Sequence, residues 1–206
     1  QRSLVARFAQ AAFEARYRQL AAAEYVDAVF SYSAGFRREV FRTIGGFDTS
    51  FPVADNEDTD LSYRVATAGY KIKFKPAAII YHQHPATLKQ YLRKKHSRAY
   101  WRVMVYKRFP SKAIRDSYTP QTLKLQIGSV VLGVGALALI PLVPHASYVA
   151  ALAGGLFTVT ALPFLWQLPR EDPGLRLAAP FLLVCRAAVM ATGLMRTVPL
   201  LMSKTN

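Results

Sequence analysis

The sequence predicts an α/β layer over residues 1–86, a basic amphipathic connector over 87–124, and an all-α membrane region of two to three transmembrane helices over 125–206. Charge and hydropathy carry that division. The chain holds 27 Lys and Arg against 12 Asp and Glu, a formal +15, yet 52% of its residues are hydrophobic. Residues 1–124 contain 22 of the basic and 10 of the acidic side chains, which leaves 5 and 2 for the remainder. A basic, mixed front thus precedes an almost uncharged back. The single cysteine, Cys185, excludes an intramolecular disulfide and leaves the redox compartment open. Gln1–Glu24 contains no apolar run long enough for a secretory signal. A chain that opens without methionine is expected to be a fragment or a processed product.

Residues 3–24 read as a helix, because Leu4, Phe8, Ala11 and Ala15 recur at helical spacing with arginines between them. Val26–Tyr32 alternates as a strand does and ends at Ser33-Ala34-Gly35. Arg37–Thr43 is a short helix stopped by Gly45-Gly46, where a glycine can supply positive φ. Asp55 or Asn56 can cap a helix from Glu57 to Ala68, which Gly69 ends. Lys71–Lys75 and Ala78–Tyr81 are strand candidates separated by Pro76. Strands alternating with helices indicate the α/β layer.

In the back half, residues 125–143 and 146–168 carry no charge, and each reaches the ~20 residues that a helix needs to cross bilayer hydrocarbon. Apolar character on every face argues against a soluble helical core. The third segment, residues 177–202, is interrupted by Arg186 and Arg196. An arginine near a span's centre costs at least ~2.5 kcal/mol on insertion. The segment is therefore a span whose Arg186 meets a polar partner, the preferred reading, or a helix lying at the interface. Arg186 itself is open between a lipid-phosphate contact and an interhelical partner. Eleven Lys and Arg lie from Lys89 to Lys124, and Arg170 and Arg176 flank the second link. Basic flanks stay cytoplasmic, which predicts an integral membrane protein with its front half on the cytoplasmic face.

Three carboxylates, Glu57, Asp58 and Asp60, crowd into four residues. Their repulsion needs cationic compensation, which a helix N-terminus and the i+4 partner Arg64 can provide. Asp58, Leu61 and Val65 share a helix face, so a core-packed Leu61 turns Asp58 toward the interior or the edge of a cleft. Spacing alone is equally compatible with an acidic first turn that only stabilises its helix.

Gly45-Gly46-Phe47-Asp48, then Glu57-Asp58-Thr59-Asp60-Leu61, Arg64, Gly69-Tyr70-Lys71 and Tyr81-His82 resemble the C-terminal half of a family 2 glycosyltransferase. The ordered combination covers about residues 25–110. The resemblance implies a GT-A fold, often followed by membrane helices, and an inverting transfer from a nucleotide-sugar to a hydroxyl acceptor. It makes Asp58 the general base, since a carboxylate within hydrogen-bond reach can take the acceptor's proton as the bond forms. It makes Glu57 part of the acceptor pocket, with Asp60 and Arg64 holding the helix, and lets the Gly45-Gly46 backbone approach the sugar. It offers His82 as a ligand for a divalent metal, Mg or Mn, that offsets charge on the departing diphosphate. A pocket-lining histidine is the alternative, and His84 is a weaker candidate. The family's nucleotide-binding half, with the DxD motif that supplies most of the metal's ligands, is expected upstream of this chain. The fragment alone is accordingly expected to be inactive.

Thr87–Phe109 mixes basic and aromatic side chains at helical spacing, as an interfacial helix does. Adjacent membrane spans argue against nucleic acid as its partner. Gln90-Tyr91-Leu92-Arg93 resembles the first four positions of the QxxRW motif of processive polysaccharide synthases, but Lys94 stands in place of the tryptophan. Processive synthesis is therefore in doubt. Gln90 and Arg93 either contact substrate, with Arg93 on diphosphate, or belong to a solvated face. The leading expectation is the acceptor-side part of a membrane-bound glycosyltransferase acting on a hydroxyl acceptor that can be lipid-linked. The alternative is a non-catalytic membrane protein whose degenerate half-domain binds anionic lipid. A channel or transporter is a third class with little of a substrate pathway behind it.

Overall fold

Eight α-helices carry the chain in the computed structural model, which describes residues 1–197. They are α1 (Leu4–Ala21), α2 (Arg38–Thr43), α3 (Glu57–Thr67), α4 (Leu88–Arg108), α5 (Pro110–Ile114), α6 (Gln121–Leu139), α7 (Ala146–Trp166) and α8 (Pro173–Met195). The helical periodicities of the sequence are realised to within a few residues. The proline at the start of α5 is tolerated because the first helical N–H has no intrahelical partner. The last residues of the expected third span, 198–202, lie outside the described residues.

The expected α/β layer, and with it the GT-A sheet, is not formed. Among the described residues there is no strand or sheet, only one isolated antiparallel bridge between Val26 and Ile72. The reason lies in where the backbone polar groups go. Ser62 Oγ accepts from Val29 N–H at 3.1 Å and donates to Val29 O at 3.2 Å. Asp27 N–H donates to Ser117 Oγ at 3.0 Å. Side chains of α3 and of the segment after α5 therefore occupy groups that a ladder would use. Ser31–Ser33 closes into a single 3-10 turn, and residues 78–81 are exposed beyond Pro76. A two-stranded pairing this short has too little to bury to persist alone.

The chain divides into two compact units. One comprises Arg16–His82 and Trp101–Thr119. Leu20, Val26, Ala28, Tyr63, Val105 and Tyr118 form its core, the first from α1, Tyr63 from α3 and Val105 from α4. Arg16 donates to the Tyr118 hydroxyl at 3.0 Å and lies over its ring. Burial pushes the Asp27 carboxyl up, but hydrogen bonds from Lys112 and Ser117 together hold it below its ordinary value. Those bonds fasten the segment after α4 to the segment after α1.

The other unit comprises Gln1–Ala15, Gln83–Tyr100 and Pro120–Asn206. Helices α6, α7 and α8 are each long and apolar enough to cross a membrane. Much of their apolar surface faces outward, including Leu132, Leu137, Leu152, Val159 and Phe181, as lipid-facing helices require. Arg186, inside α8, is buried and donates to Gln126 Oε1 of α6 at 2.9 Å; Gln126 Nε2 in turn donates to Thr160 O of α7 at 3.1 Å. One arginine thus joins all three helices, which fits the expectation of an interhelical partner. Its guanidinium also lies 5.9 Å from the centroid of the Phe8 ring, and Phe8 meets Tyr91 and Phe164 edge-on.

Gly193 sets the approach of α8 to α4, because a Cβ there would stand 2.6 Å from His96 O and 3.0 Å from Ala99 Cβ. Gly193→Ala should therefore destabilise the protein by about 1–3 kcal/mol through overpacking. Gly128→Ala, where a Cβ meets nothing within 4 Å, should be neutral or stabilising. Thermal unfolding of the two variants in detergent checks the contrast.

Candidate active site

The acidic cluster opens α3. Asn56 precedes it with φ of 73°, a left-handed conformation that asparagine tolerates, and its carbonyl accepts the first helical bond from Asp60 N–H at 2.9 Å. Asp58 and Asp60, two positions apart in the first turn, then take different sets of donors, which offsets their repulsion. Leu61 and Val65 are buried beneath the helix, at 0% and 3% exposure, and anchor it by roughly 2 kcal/mol each.

Asp60 turns inward and is wholly buried. Its Oδ2 accepts from Arg64 Nε at 2.9 Å and its Oδ1 from Arg108 Nη1 at 3.0 Å. Arg64 is the i+4 partner that the sequence offers. Its two remaining nitrogens reach back, Nη1 to Ile44 O and Nη2 to Gly46 O, each at 2.7 Å. The Gly45-Gly46 turn is thereby fixed to α3. Both glycines have positive φ, 83° and 67°, and a Cβ on Gly46 would come within 3.1 Å of the Phe41 ring. Asp60, Gly45 and Gly46 thus belong to one hydrogen-bonded assembly in which the Asp60 carboxylate is withdrawn from solvent.

Asp58 takes the other direction and is half-buried. Its Oδ1 accepts from Thr59 N–H at 2.7 Å and its Oδ2 from Ser31 N–H at 3.4 Å. The carboxylate is held by backbone donors on both of its oxygens and remains partly exposed. Glu57, beside it, is also half-buried. Next to Ser31, the Tyr32 ring stacks between Phe30 (centroids 5.7 Å apart, 11° between planes) and His82 (5.4 Å, 21°). The Tyr32 hydroxyl is hydrogen-bonded to that of Tyr17 at 2.8 Å. His82 therefore closes an aromatic stack one residue along the chain from the Asp58 contact. Among the described residues no group of three or more His, Cys, Asp or Glu gathers to hold a metal ion. His84, Gln90 and Arg93 belong to the other compact unit. His84 is hydrogen-bonded through Nε2 to Gln10 Oε1 at 2.9 Å, and Gln90 and Arg93 lie exposed on α4.

Arg108 is the residue that sequence reasoning misses. It stands at the end of α4, bridges Asp48 and Asp60, and lies over the Phe51 ring at 5.6 Å. In the sequence it is one of eleven basic residues in a stretch that reads as membrane-facing, and nothing local sets it apart. Ser31 and Ser62 are equally unmarked. Asp48 accepts from Ser50 N–H at 2.8 Å. Hydrogen bonds from the Ser50 backbone and hydroxyl, and then from Arg108, hold its carboxyl at about 2.

Comparison with known proteins gives a family model described as glycosyl transferase family group 2, which matches residues 7–195. A 59-residue segment is 42% identical to the probable glycosyltransferase YdaM of Bacillus subtilis (strain 168), covering 29% of this chain and 13% of that protein. A segment of the same length is 32% identical to the pre-mycofactocin glycosyltransferase of Mycobacterium tuberculosis, covering 29% of this chain and 12% of that one. The similarity thus spans only about an eighth of either relative's length. No solved structure matches the chain significantly.

The depressed Asp48 carboxyl has a pH signature. Its value falls from 3.8 to about 2 on folding, so its stabilising contribution is complete above about pH 4 and is lost as pH falls through about 2. Trp101 lies 5.9 Å from Phe51 and reports the turn in a Trp166→Phe background. Its emission should hold down to about pH 4 and change below about pH 3, and Asp48→Asn should remove that change. The His82 stack makes a separate prediction. His82→Ala in the full-length protein separates the two readings of this residue: an unchanged metal concentration for half-maximal activity fits a place in the stack, and a rise in that concentration marks a ligand.

Proposed function

The chain belongs to glycosyl transferase family group 2, and we propose that it forms the acceptor-side part of a membrane-bound enzyme that transfers a sugar from a nucleotide-sugar to a hydroxyl, with Asp58 as general base. The observation that carries this reading is the state of the Asp58 carboxylate. It is half-buried and held by two backbone N–H groups, while its neighbour Asp60 is consumed by two guanidinium groups. In this reading Asp60 is structural and Asp58 is available.

The chemistry follows from that division. An acceptor hydroxyl is a weak nucleophile at neutral pH. A carboxylate within hydrogen-bond reach takes its proton as the acceptor oxygen bonds to the anomeric carbon. The bond from that carbon to the donor's diphosphate breaks, and the diphosphate leaves with the electron pair. Attack from the opposite face inverts the anomeric centre. Glu57, adjacent in the first turn, lines the acceptor's approach in this reading, and the Gly45-Gly46 turn lets backbone come close to the sugar.

Three helices long and apolar enough to cross a membrane support an acceptor presented at the bilayer, such as a lipid-linked sugar. The basic residues flanking those helices support a cytoplasmic site, where nucleotide-sugars are made.

Asp58→Asn keeps the shape of the side chain and removes its basicity. In the full-length protein it should lower kcat by about 10²-fold or more with little change in melting temperature. Wild-type turnover by this variant, assayed as release of nucleotide from the donor in the presence of acceptor, would discard the base assignment.

A further inference from the structure

We propose that Arg108 is a positioning residue for the transfer step, tying the turn at Asp48 to the buried Asp60 carboxylate and so fixing the first turn of α3 on which Asp58 is carried. This rests on the reading of Asp58 as the base.

Four contacts converge on Arg108. Its Nη1 donates both to Asp48 Oδ2 and, at 3.0 Å, to Asp60 Oδ1. Its Nη2 lies 3.5 Å from Ser50 Oγ, and the guanidinium covers Phe51 at 5.6 Å. Arg64 occupies the other oxygen of Asp60, so the carboxylate is held from both sides and cannot turn. The two arginines divide the work. Arg64 is part of α3 and binds Ile44 and Gly46, so it can tie the glycine turn to α3 but cannot orient α3 itself. Arg108 comes from α4 and supplies the external reference. Between them, residues 44–50 are clamped at both ends to one carboxylate.

Asp58 precedes Asp60 by two residues in the same helical turn, so the tie from α4 to Asp60 sets where the first turn of α3, and the base on it, lies relative to α4. The clamp differs from packing in kind: 44% of the Arg108 side chain is exposed, and the apolar core of this unit closes without it. Its removal should therefore loosen geometry more than it unfolds the chain. A planar guanidinium can address Asp48, Asp60 and Ser50 at once, whereas a lysine ammonium is a compact charge on a flexible stem and cannot reproduce the fork.

The test uses the full-length protein carrying Trp166→Phe, with Arg108→Lys, Asp48→Asn and Asp58→Asn made singly and Arg108→Lys combined with Asp58→Asn. Arg108→Lys should lower kcat about 10- to 100-fold while acceptor KM stays within about twofold, the split expected when a reacting group is displaced and substrate binding is left intact. Trp101 emission should shift in the same variant, and Asp48→Asn, which cuts the clamp from its exposed side, should reproduce both effects. Added to Asp58→Asn, Arg108→Lys should cost nothing further, because a positioning residue has no work once the base is gone. Lys73→Ala, an exposed cation in the same unit, should behave as wild type. Wild-type kcat in Arg108→Lys alongside an impaired Asp58→Asn overturns the positioning role and leaves the base reading standing. A raised KM at unchanged kcat also overturns it, since the guanidinium would then bind substrate. Wild-type turnover by Asp58→Asn overturns both.

Discussion

A carboxylate removed from water needs a hydrogen-bond donor on each oxygen, and around Asp60 that requirement organises the candidate site. Burial of an ion without partners costs several kcal/mol, and Asp60 has no exposed surface. Arg64 and Arg108 each donate to one of its oxygens, and their remaining nitrogens are used to hold what lies nearby. The glycine turn is bound through carbonyls, the Asp48 turn through a carboxylate, and α3 through its own first turn. Gly45 and Gly46 end α2 with positive φ, their N–H groups bonded back to Arg42 O and Phe41 O, and this turn leaves Ile44 O and Gly46 O for one guanidinium.

This arrangement also divides the acidic cluster into two roles. Glu57, Asp58 and Asp60 are near neighbours in sequence, but the left-handed entry at Asn56 and the helical turn send them to different environments. Asp60 serves the scaffold. Asp58 rests on backbone N–H groups from Ser31 and Thr59, with a stack of Phe30, Tyr32 and His82 beside the Ser31 strap. Repulsion among the three, costly in an extended chain, is thereby converted into a geometry in which one carboxylate is available and rigidly carried.

The three helices long and apolar enough to cross a membrane obey the same rule. Arg186 is buried within α8 and gives its hydrogen bond to Gln126, which passes one on to Thr160. Arg186 and Gln126 thus satisfy one another among apolar side chains, where a polar group left alone is costly. Apolar surface cannot by itself orient one lipid-facing helix against another, so this chain of hydrogen bonds and the close approach at Gly193 supply the specificity.

The sequence by itself determined the helices and the membrane region. Periodicity and uninterrupted apolar runs are local properties, and α1, α3, α4, α6, α7 and α8 lie within a few residues of where those patterns place them, although Asn56 opens α3 without the side-chain cap bond expected of Asp55 or Asn56. The i+4 pairing of Asp60 with Arg64 was legible for the same reason, since helix geometry brings those positions together wherever the helix lies. The strand-like stretches were not a reliable guide, because a strand is completed only by its neighbours. Alternation at Val26–Tyr32 cannot reveal that Ser62, Ser117 and Asp58 accept its N–H groups. Only the tertiary structure decided which arginine among eleven would bridge Asp48 and Asp60, and which acidic side chain would be buried. Arg108 lies 48 residues from Asp60, and burial, unlike periodicity, is a property of the packed chain.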